Sequence, residues 1–431
     1  MGRNILIVGS GAREHVLAWS MAQCADVSRV YIAPGNAATV WPAIPGIRAE
    51  AVRAAIQASD VSGLRALAQA TQIHLTVVGP EAPLAAGIVD AFTDAGLSIV
   101  GPSREAAKLE TSKTFAKMLM SQLGIPTADF QCFDDYSAAL RFVSASKQSL
   151  VIKADGLAGG KGSIVCTDAY EAKHALHRIM IEREFGEAGQ RVVIEDRLYG
   201  REVSVLAFCD GAQVITMPCA RDYKRALEND RGPNTGGMGA IAPVRDVAPA
   251  PMEEINRTII EPVVQSMAAR GLEYRGVLYA GLILTDTGPK VLEFNCRFGD
   301  PEAEAILPLL ATDLTAILSA CAEGRLDSMP IRWHQQECAT VVLAAPGYPG
   351  AFPTGLPILG LDDVSTMENV FLFHGATELY EGAVVTNGGR VLAVTGLGSD
   401  LSAALDRAYA AIAHLHFDGM QFRKDIGQDA L

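Results

Sequence analysis

The 431-residue chain has few basic residues and no clustered run of them. Its 36 Lys and Arg residues are outnumbered by 49 Asp and Glu residues, which gives a formal net charge of −13 at pH 7. Because nucleic acids and anionic membrane surfaces are bound by clustered Lys and Arg, this composition argues against both as partners. A bound phosphate would instead be held by a few residues of a defined site.

Long hydrophobic runs and paired cysteines are also missing. No apolar run reaches the roughly 18 residues that a membrane span needs, and the chain starts with a strand-like segment rather than with signal-peptide features. The eight cysteines include no C-x-x-C pair and most lie in apolar segments, so buried thiols are favoured over zinc or disulfides. We therefore predict a cytoplasmic protein without a membrane partner.

The length of the chain indicates more than one domain. A chain of 431 residues exceeds what one hydrophobic core usually holds, and 49% hydrophobic residues is an ordinary globular composition. We predict an N-terminal α/β domain over 1–104, a central domain over 105–325 with a lid over about 125–195, and a small C-terminal β-rich domain over 326–431.

The first strand ends in a glycine turn. Residues 4–8 form an apolar run typical of a buried parallel strand, and GSGAREH follows at 9–15, at the start of a helix. Backbone N–H groups and the helix dipole at such a turn bind anions. A dinucleotide site is the alternative, but Glu14 replaces the third glycine and the second strand lacks the terminal acid. We predict a substrate phosphate here, with His15 and Glu81 in the same crevice; the alternative for these two residues is a capping or surface role.

A strand about two thirds along the chain carries oxygen ligands. Two apolar segments joined by a turn predict a β-hairpin whose second strand covers 291–297. Side chains alternate along a strand. Glu293, Asn295 and Arg297 should therefore share one face, and the other face should carry Leu292, Phe294 and Cys296. Carboxylate and amide oxygens suit Mg²⁺ bound together with nucleotide phosphates. The alternative is an edge strand with a solvated polar face.

A second glycine-rich loop lies between two apolar segments, at 156–162. It differs from a Walker loop because Lys161 is followed by glycine and no helix follows. We predict a hairpin tip that folds over phosphates, with Lys153 and Lys161 as point charges; the alternative is a mobile surface turn. The strand at 191–195 leads into a hinge that could seat a purine, and a third glycine-rich loop follows at 232–240.

Four motifs together resemble the phosphoribosylamine–glycine ligase family of the ATP-grasp superfamily. They are G-x-G-x-R-E-H at 9–15, KADGLAGGKG at 153–162, GPNTGGMGA at 232–240 and RFGDPE at 297–302. The resemblance runs from residue 4 to the last strand–helix unit, with the motifs in the family's order. Three residues depart from the family's pattern. Ala12 lies in the predicted phosphate loop, whereas Asp196 and Tyr223 affect individual contacts only.

This resemblance implies a fold, a reaction and cofactors. The fold is a mixture of α/β and α+β: an ATP-grasp core between an N-terminal open parallel α/β domain and the C-terminal β-rich domain. ATP, glycine and 5-phosphoribosylamine would give ADP, phosphate and glycinamide ribonucleotide through glycyl phosphate. ATP and Mg²⁺ (or Mn²⁺) would be bound, and family members are commonly monomers.

The resemblance also implies roles for individual residues. Glu293 and Asn295 would bind the metal, and Arg297, Lys153 and Lys161 would be catalytic. ATP would contact Lys113, Lys153, Gly156, Gly159, Gly160, Lys161, Gly162, Glu195, Leu198 and Glu202. The substrates would contact Gly9, Gly11, Arg13, Glu14, His15, Glu81, Asp222, Lys224, Asn234, Gly236, Arg297, Asp300 and Pro301.

Three other functions are weighed against this one. Another ATP-grasp carboxylate–amine ligase or a carboxylase would differ in substrate only. A nucleotide-binding regulatory module is disfavoured because the metal and phosphate residues are intact, and a dinucleotide oxidoreductase because of the second strand's end. In the C-terminal part, Asn387-Gly388 between two apolar segments predicts a β-hairpin.

Overall fold

Five parallel strands form a sheet in the N-terminal part of the protein. The computed structural model describes residues 2–39, 49–245, 247 and 249–431. The strands are β1 (Arg3–Gly9), β2 (Val27–Pro34), β3 (Glu50–Arg53), β4 (Leu75–Val78) and β5 (Ile99–Val100), in the order β3-β2-β1-β4-β5. The helices are α1 (Ala12–Ala22), α2 (Val61–Ala70), α3 (Glu81–Ala85) and α4 (Ile88–Thr93). The predicted open parallel sheet is confirmed, and β3 is an additional strand.

The segment predicted as the lid contains a separate antiparallel sheet. It follows α5 (Lys108–Thr111) and α6 (Lys113–Leu123) and contains β6 (Phe130–Phe133), β7 (Leu150–Ala154), β8 (Ser163–Cys166) and β9 (Val192–Asp196), in the order β6-β9-β7-β8. With α7 (Tyr136–Ala145) and α8 (Ala169–Leu176) it encloses a hydrophobic core of its own.

Residues 108–123 form two helices, which are separated at Ser112. Ser112 has an extended backbone, and its hydroxyl accepts a hydrogen bond of 3.1 Å from the N–H of Phe115. A serine in this position caps a new helix and satisfies one of its free N–H groups. The break sets the direction of α6, whose first residue is Lys113.

The central sheet contains the predicted hairpin. Its strands are β10 (Arg201–Asp210), β11 (Val214–Thr216), β16 (Arg275–Thr285) and β17 (Gly288–Asn295), in the order β11-β10-β16-β17. Helices α9 (Pro249–Ile255) and α10 (Glu261–Ala269) precede β16.

A β-bulge interrupts β17. The register shifts opposite Gly281 and Leu282, which leaves Leu292 as an extra residue of β17. Val291 and Phe294, three positions apart, are both fully buried in the same core, whereas Leu292 is half-buried. The strict alternation that the sequence predicted is therefore wrong at the bulge.

The C-terminal sheet takes two strands from the middle of the chain. Its order is β12 (Arg221–Asp222), β15 (Gly239–Ala242), β18 (Glu337–Ala344), β22 (Arg390–Gly398) and β19 (Val370–His374). Two small hairpins are β13 (Arg225–Leu227) with β14 (Arg231–Asn234), and β20 (Thr377–Tyr380) with β21 (Ala383–Thr386). The helices are α11 (Glu302–Ile306), α12 (Leu314–Glu323), α13 (Leu361–Ser365) and α14 (Leu401–Ile412). The predicted domain boundaries stay predictions.

The hairpin predicted at Asn387-Gly388 is wrong. The strand before these residues, β21, pairs with β20, and the strand after them, β22, pairs with β18 and β19. The N–H of Asn387 donates a hydrogen bond to the carbonyl oxygen of Ala376, 2.8 Å away. The segment thus carries the chain from one sheet to another. No helix within the described ranges has both the length and the apolar character needed to cross a membrane.

Candidate active site

The carboxyl end of β17 presents two oxygen-bearing side chains. Oε2 of Glu293 lies 2.8 Å from Nζ of Lys113, the first residue of α6. This ammonium group lowers the pKa of Glu293 far below its ordinary value, although burial acts in the opposite direction. Glu293 is therefore ionised at neutral pH. Asn295, the last residue of the strand, is buried.

These two residues fit a divalent ion that takes most of its ligands from elsewhere. Both Glu293 and Asn295 offer hard oxygen donors, and the carboxylate is ionised. Within the part of the chain that the structure describes, no group of three or more His, Cys, Asp and Glu side chains could hold a metal by itself. The donor set thus suits an ion shared with phosphate and water oxygens rather than a structural metal.

A cluster of buried charges connects the lid to β17. Lys153, on β7, has its Nζ 2.9 Å from Oε1 of Glu195, on β9, and donates a hydrogen bond of 2.8 Å to the carbonyl oxygen of Leu292. Oε2 of Glu195 lies 3.0 Å from Nζ of Lys117, on α6. Since two lysines share one carboxylate, the cluster keeps a net positive charge next to β17.

Arg297 is held between two carboxylates. The strand ends at Asn295, so Arg297 lies in the bend that follows, which corrects the predicted strand end. Its Nη2 lies 2.9 Å from Oε1 of Glu110, on α5, and its Nε lies 3.5 Å from Oε2 of Glu81. Nη2 is also 3.4 Å from Oδ1 of Asn295. A guanidinium group thus lies beside Asn295, one of the two candidate metal ligands.

The glycine-rich turn between β7 and β8 is the tip of a hairpin, as predicted. It contains Gly156 and Gly162, and Gly159 and Gly160 have φ angles of +56° and +75°, which favour glycine. Lys161 at the tip is exposed, and its Nζ donates a hydrogen bond of 3.1 Å to the carbonyl oxygen of Pro349. The lid tip therefore touches the C-terminal part of the molecule.

The predicted hinge lies between β9 and β10. Leu198 is half-buried in this connection. Just beyond it, Oε2 of Glu202 lies 2.7 Å from Nζ of Lys224. A carboxylate at the start of β10 is therefore held by a lysine from the segment after β12.

The third glycine-rich loop packs closely against the RFGDPE segment. A Cβ on Gly237, whose φ is +114°, would lie 2.4 Å from Cδ of Pro301 and 2.6 Å from Oδ1 of Asp222. Asp222 is half-buried, and its buried Oδ1 has no hydrogen-bond partner among the described residues. Burial of the carboxyl group together with the charge of Glu302 raises the pKa of Asp222 well above the ordinary value. Asn234, at the end of β14, is half-buried.

The glycine turn after β1 is closed by a glutamate. Oε2 of Glu14 accepts a hydrogen bond of 2.6 Å from the N–H of Gly11, and its Oε1 lies 2.7 Å from Nε of Arg13. A Cβ on Gly9 or Gly79 would lie 2.5 Å or less from atoms of this side chain. The N–H of Gly11, in the turn predicted to bind a phosphate, therefore donates its hydrogen bond to Glu14.

A cavity of about 210 Å³ opens beside this turn. Its lining includes Ser10, Gly11, Asp300 and Arg390, together with residues of the C-terminal sheet. Nη1 of Arg390 lies 2.9 Å from Oδ1 of Asp300 and donates a hydrogen bond of 2.6 Å to the carbonyl oxygen of Gly236. The cavity thus joins three distant segments of the chain around one guanidinium group.

His15 belongs to a buried histidine pair near the same turn. Its Nδ1 accepts a hydrogen bond of 2.8 Å from the backbone N–H of His374. Burial lowers the pKa of His15 to about 3 and that of His374 to about 4. Both imidazoles are neutral at pH 7, so this pair supplies no positive charge to a phosphate.

Comparisons with known proteins cover nearly the whole chain. A phosphoribosylamine–glycine ligase from Caldanaerobacter subterraneus subsp. tengcongensis is 45% identical over 422 residues, which are 98% of this chain and 99% of that protein. Models of the phosphoribosylglycinamide synthetase N domain, ATP-grasp (A) domain and C domain match residues 3–110, 111–303 and 338–429. The chain belongs to the phosphoribosylglycinamide synthetase family.

Two further relatives agree with this family. The human trifunctional purine biosynthetic protein adenosine-3 is 46% identical over 433 residues, which cover 100% of this chain and 42% of that protein. The crystal structure of a phosphoribosylamine–glycine ligase from Thermotoga maritima has a TM-score of 0.83 and 32% identity, over 98% of this chain and 100% of that one. The resemblance seen in the four motifs and the ATP-grasp fold are confirmed.

Two charged residues of the candidate site in this member of the synthetase family, Lys117 and Arg390, were not predicted from the sequence. Lys117 lies four residues after Lys113, and this helical spacing could have indicated a shared face. Arg390 follows the segment that was predicted as a hairpin turn, and only its contacts with Asp300 and Gly236 place it beside the cavity.

Proposed function

We propose that this protein ligates glycine to 5-phosphoribosylamine with ATP, giving glycinamide ribonucleotide, ADP and phosphate. The observation that carries the proposal is the convergence of Glu293, Asn295 and Arg297 with the buried lysines at the end of β17, in a chain whose full length matches this family. The earlier predictions of a monomer and of a cytoplasmic location stay predictions.

The nucleotide would lie between the lid sheet and β17. The backbone of the hinge that includes Glu195 and Leu198 would face the purine, and Glu202 would face the ribose. Lys113, Lys153 and the glycine-rich tip with Lys161 would face the phosphates. Glu293 and Asn295 would hold Mg²⁺ or Mn²⁺, which neutralises phosphate charge when bound. Oε2 of Glu293 contacts Nζ of Lys113. To bind the metal, Glu293 would therefore share this oxygen with Lys113 or give up the contact.

The first step would activate the glycine carboxylate. A carboxylate is a poor electrophile, so one of its oxygens attacks the γ-phosphorus of ATP, the bond to the ADP oxygen breaks, and glycyl phosphate forms. Arg297 would hold the carboxylate with two N–H groups, since a guanidinium fork matches its geometry. The protein's own part in this step is positioning and charge neutralisation.

The second step would form the amide bond. The amine nitrogen of phosphoribosylamine attacks the acyl carbon, phosphate leaves, and the amine loses a proton. The phosphate end of this substrate would occupy the cavity beside Ser10 and Gly11, where Arg390 supplies a cation. To do so, Arg390 would exchange one contact with Asp300 for the phosphate.

The lid would protect the acyl phosphate. Glycyl phosphate is open to attack by water, so closing the site over it prevents a wasteful hydrolysis. The hydrogen bond from Lys161 to the carbonyl oxygen of Pro349 supports this role, since it bridges the lid tip to the opposite wall.

A phosphate-release assay tests the proposal. The protein should release phosphate from ATP at a substantial rate only when glycine and 5-phosphoribosylamine are both present, with an equal amount of glycinamide ribonucleotide detected by mass spectrometry. Release that depends on another carboxylate or on bicarbonate would favour a different ATP-grasp enzyme, and the absence of any ATP consumption would contradict the proposal.

A further inference from the structure

Lys117 is a buried lysine to which the proposed reaction gives no role. Its side chain is 3% exposed, and Nζ lies 3.0 Å from Oε2 of Glu195. Nζ also donates a hydrogen bond of 2.6 Å to Oγ1 of Thr127, which donates one of 2.6 Å to the carbonyl oxygen of Val291. The ring of Phe130 lies 5.7 Å away. A single ammonium group thus connects α6, the lid and β17.

Burial of the Lys117 ammonium group has a cost in free energy. Removing a charge from water costs several kcal/mol, and an ion pair with good geometry offsets this only in part. Uncharged side chains of similar size at both 117 and 195 would fill the same space without that penalty. The charge of Lys117 is therefore better explained by its effect on its neighbours than by stability.

The first effect concerns Lys153. Oε1 of Glu195 faces Lys153 and Oε2 faces Lys117. If Lys117 were uncharged, Lys153 alone would neutralise this buried carboxylate, and its charge would no longer be available to an anion. With Lys117 charged, one positive charge remains in excess next to the proposed phosphate site.

The second effect concerns the strand that carries Glu293. Thr127 forms a bridge with Val291, and the N–H of Val291 donates a hydrogen bond of 2.8 Å to the carbonyl oxygen of Pro126. Lys153 holds the next carbonyl oxygen, that of Leu292, at 2.8 Å. The two lysines therefore fasten the bulge of β17 immediately before Glu293.

We propose that Lys117 is a positioning residue for the nucleotide: by neutralising Glu195 it leaves the charge of Lys153 available to the phosphates of ATP, and through Thr127 it fixes the strand of Glu293. This inference rests on the proposed function, because it assumes that ATP phosphates lie beside Lys153.

The surroundings of Lys117 give the proposal a pH signature. Burial lowers the pKa of Lys117 to about 8, with Glu195 acting in the opposite direction and the charges of Lys153 and Lys113 adding to the decrease. The other side chains that face it, Thr127 and Phe130, do not titrate. Lys117 is therefore charged below pH 8 and loses its proton above it, so ATP affinity should fall as the pH rises from 7 to 9.

The first experiment measures ATP binding without turnover, by calorimetry with Mg²⁺ and ATP in the absence of glycine. Lys117→Met should raise the Kd for ATP roughly tenfold or more, because one charge near the phosphates is lost. Lys108→Met is the matched control: Lys108, on α5, has an exposed ion pair with Glu105, and its Kd should equal that of the wild type. A wild-type Kd in Lys117→Met would overturn the proposal.

The second experiment uses the conservative variant. Arginine stays protonated over this range, so the Kd of Lys117→Arg should be flat between pH 7 and pH 9, whereas that of the wild type rises by up to about tenfold per pH unit above 8. A structural role alone would leave the two profiles parallel, and parallel profiles would contradict the proposal even if Lys117→Met does not fold.

The third experiment removes the carboxylate as well. In Lys117→Met/Glu195→Gln, Lys153 no longer has a buried charge to neutralise, so ATP should bind more tightly than to Lys117→Met alone. Weaker binding in the double variant would contradict the charge argument.

The proposed function can fail separately from this inference. A wild-type protein that binds ATP but never makes glycinamide ribonucleotide would contradict the proposed function alone. An active wild type with unchanged ATP binding in Lys117→Met would contradict only the role of Lys117.

Discussion

The two sides of the proposed active site hold their cations differently. On the nucleotide side, lysines pair with carboxylates of neighbouring elements: Lys113 with Glu293, and Lys153 with Glu195. On the substrate side, the cation at the cavity is an arginine: Arg390 pairs with Asp300. An ammonium group is a point charge that can turn between partners, whereas a guanidinium fork requires a planar partner in a fixed direction.

This difference suggests what each side contributes. A site for phosphates that move during reaction benefits from charges that can follow them, as lysines do. A site that must orient a carboxylate or a fixed phosphate benefits from two parallel hydrogen bonds. Substitutions that keep the charge but change its geometry should therefore be tolerated on the nucleotide side and harmful on the substrate side.

The largest expected effect comes from Glu293 on the nucleotide side. Glu293→Ala should reduce ligation at least about a hundredfold, because the proposed metal loses its only charged protein ligand. The fold should stay intact, which circular dichroism and thermal unfolding would check. Glu105→Ala is the control, because Glu105 belongs to an exposed ion pair with Lys108. Full activity of Glu293→Ala at ordinary Mg²⁺ concentration would refute the metal assignment.

The next effect concerns Arg390 on the substrate side. Both Arg390→Met and Arg390→Lys should raise the KM for phosphoribosylamine roughly tenfold or more, because a lysine cannot replace a two-pronged contact. The Kd for ATP should stay unchanged. Arg325→Lys, at an exposed pair with Glu323, serves as the control. If Arg390→Lys behaves like the wild type, the contrast between the two sides does not hold.

A third prediction uses the histidine pair of the substrate side. His374 ordinarily titrates at 6.5 but in the fold its pKa is about 4, so the unfolded chain binds more protons between these values. Stability therefore falls as the pH falls from 7 to 5, by about 2 kcal/mol for each such histidine. In urea unfolding, the loss of stability between pH 7 and pH 5 should be about 2 kcal/mol smaller for His374→Gln than for the wild type. Equal losses in the variant and the wild type would contradict the buried neutral state.

The smallest expected effect is that of the lid tip. Lys161→Ala removes one of the three lysines proposed to face the phosphates, together with its exposed hydrogen bond to Pro349. Because Lys113 and Lys153 remain, kcat should fall only by a factor of roughly three to ten while stability stays the same. Lys147→Ala, an exposed lysine elsewhere in the lid, should change nothing. A loss as large as that of Glu293→Ala would contradict the view that Lys113 and Lys153 supply most of the charge at the phosphates.

Local sequence patterns indicated more of the residues that meet at the end of β17 than of those that line the cavity. Glu293, Lys153 and the glycine-rich hairpin lie within continuous motifs, where local pattern and local structure agree. The cavity instead joins segments around Gly11, Asp300 and Arg390, and no local pattern encodes a contact between residues so far apart. Arg390 was therefore missed, although the glycine turn next to it was recognised.

Two errors of the sequence-based prediction come from the way strands pair in the fold. The bulge at Leu292 comes from the pairing of β17 with its neighbour, which a period of two in one strand does not reveal. The turn at Asn387-Gly388 has the composition of a hairpin, but β21 and β22 find other partners, so tertiary pairing overrides the local signal. Both cases concern which strands meet rather than whether strands form.

The most direct test of the central claim follows an oxygen atom. Glycine labelled with ¹⁸O in its carboxylate would be supplied with ATP, Mg²⁺ and phosphoribosylamine, and the released phosphate analysed by mass spectrometry. If the carboxylate attacks ATP, each phosphate should carry one ¹⁸O atom and glycinamide ribonucleotide should keep the other. Unlabelled phosphate would show that glycine is not phosphorylated, which would contradict the account.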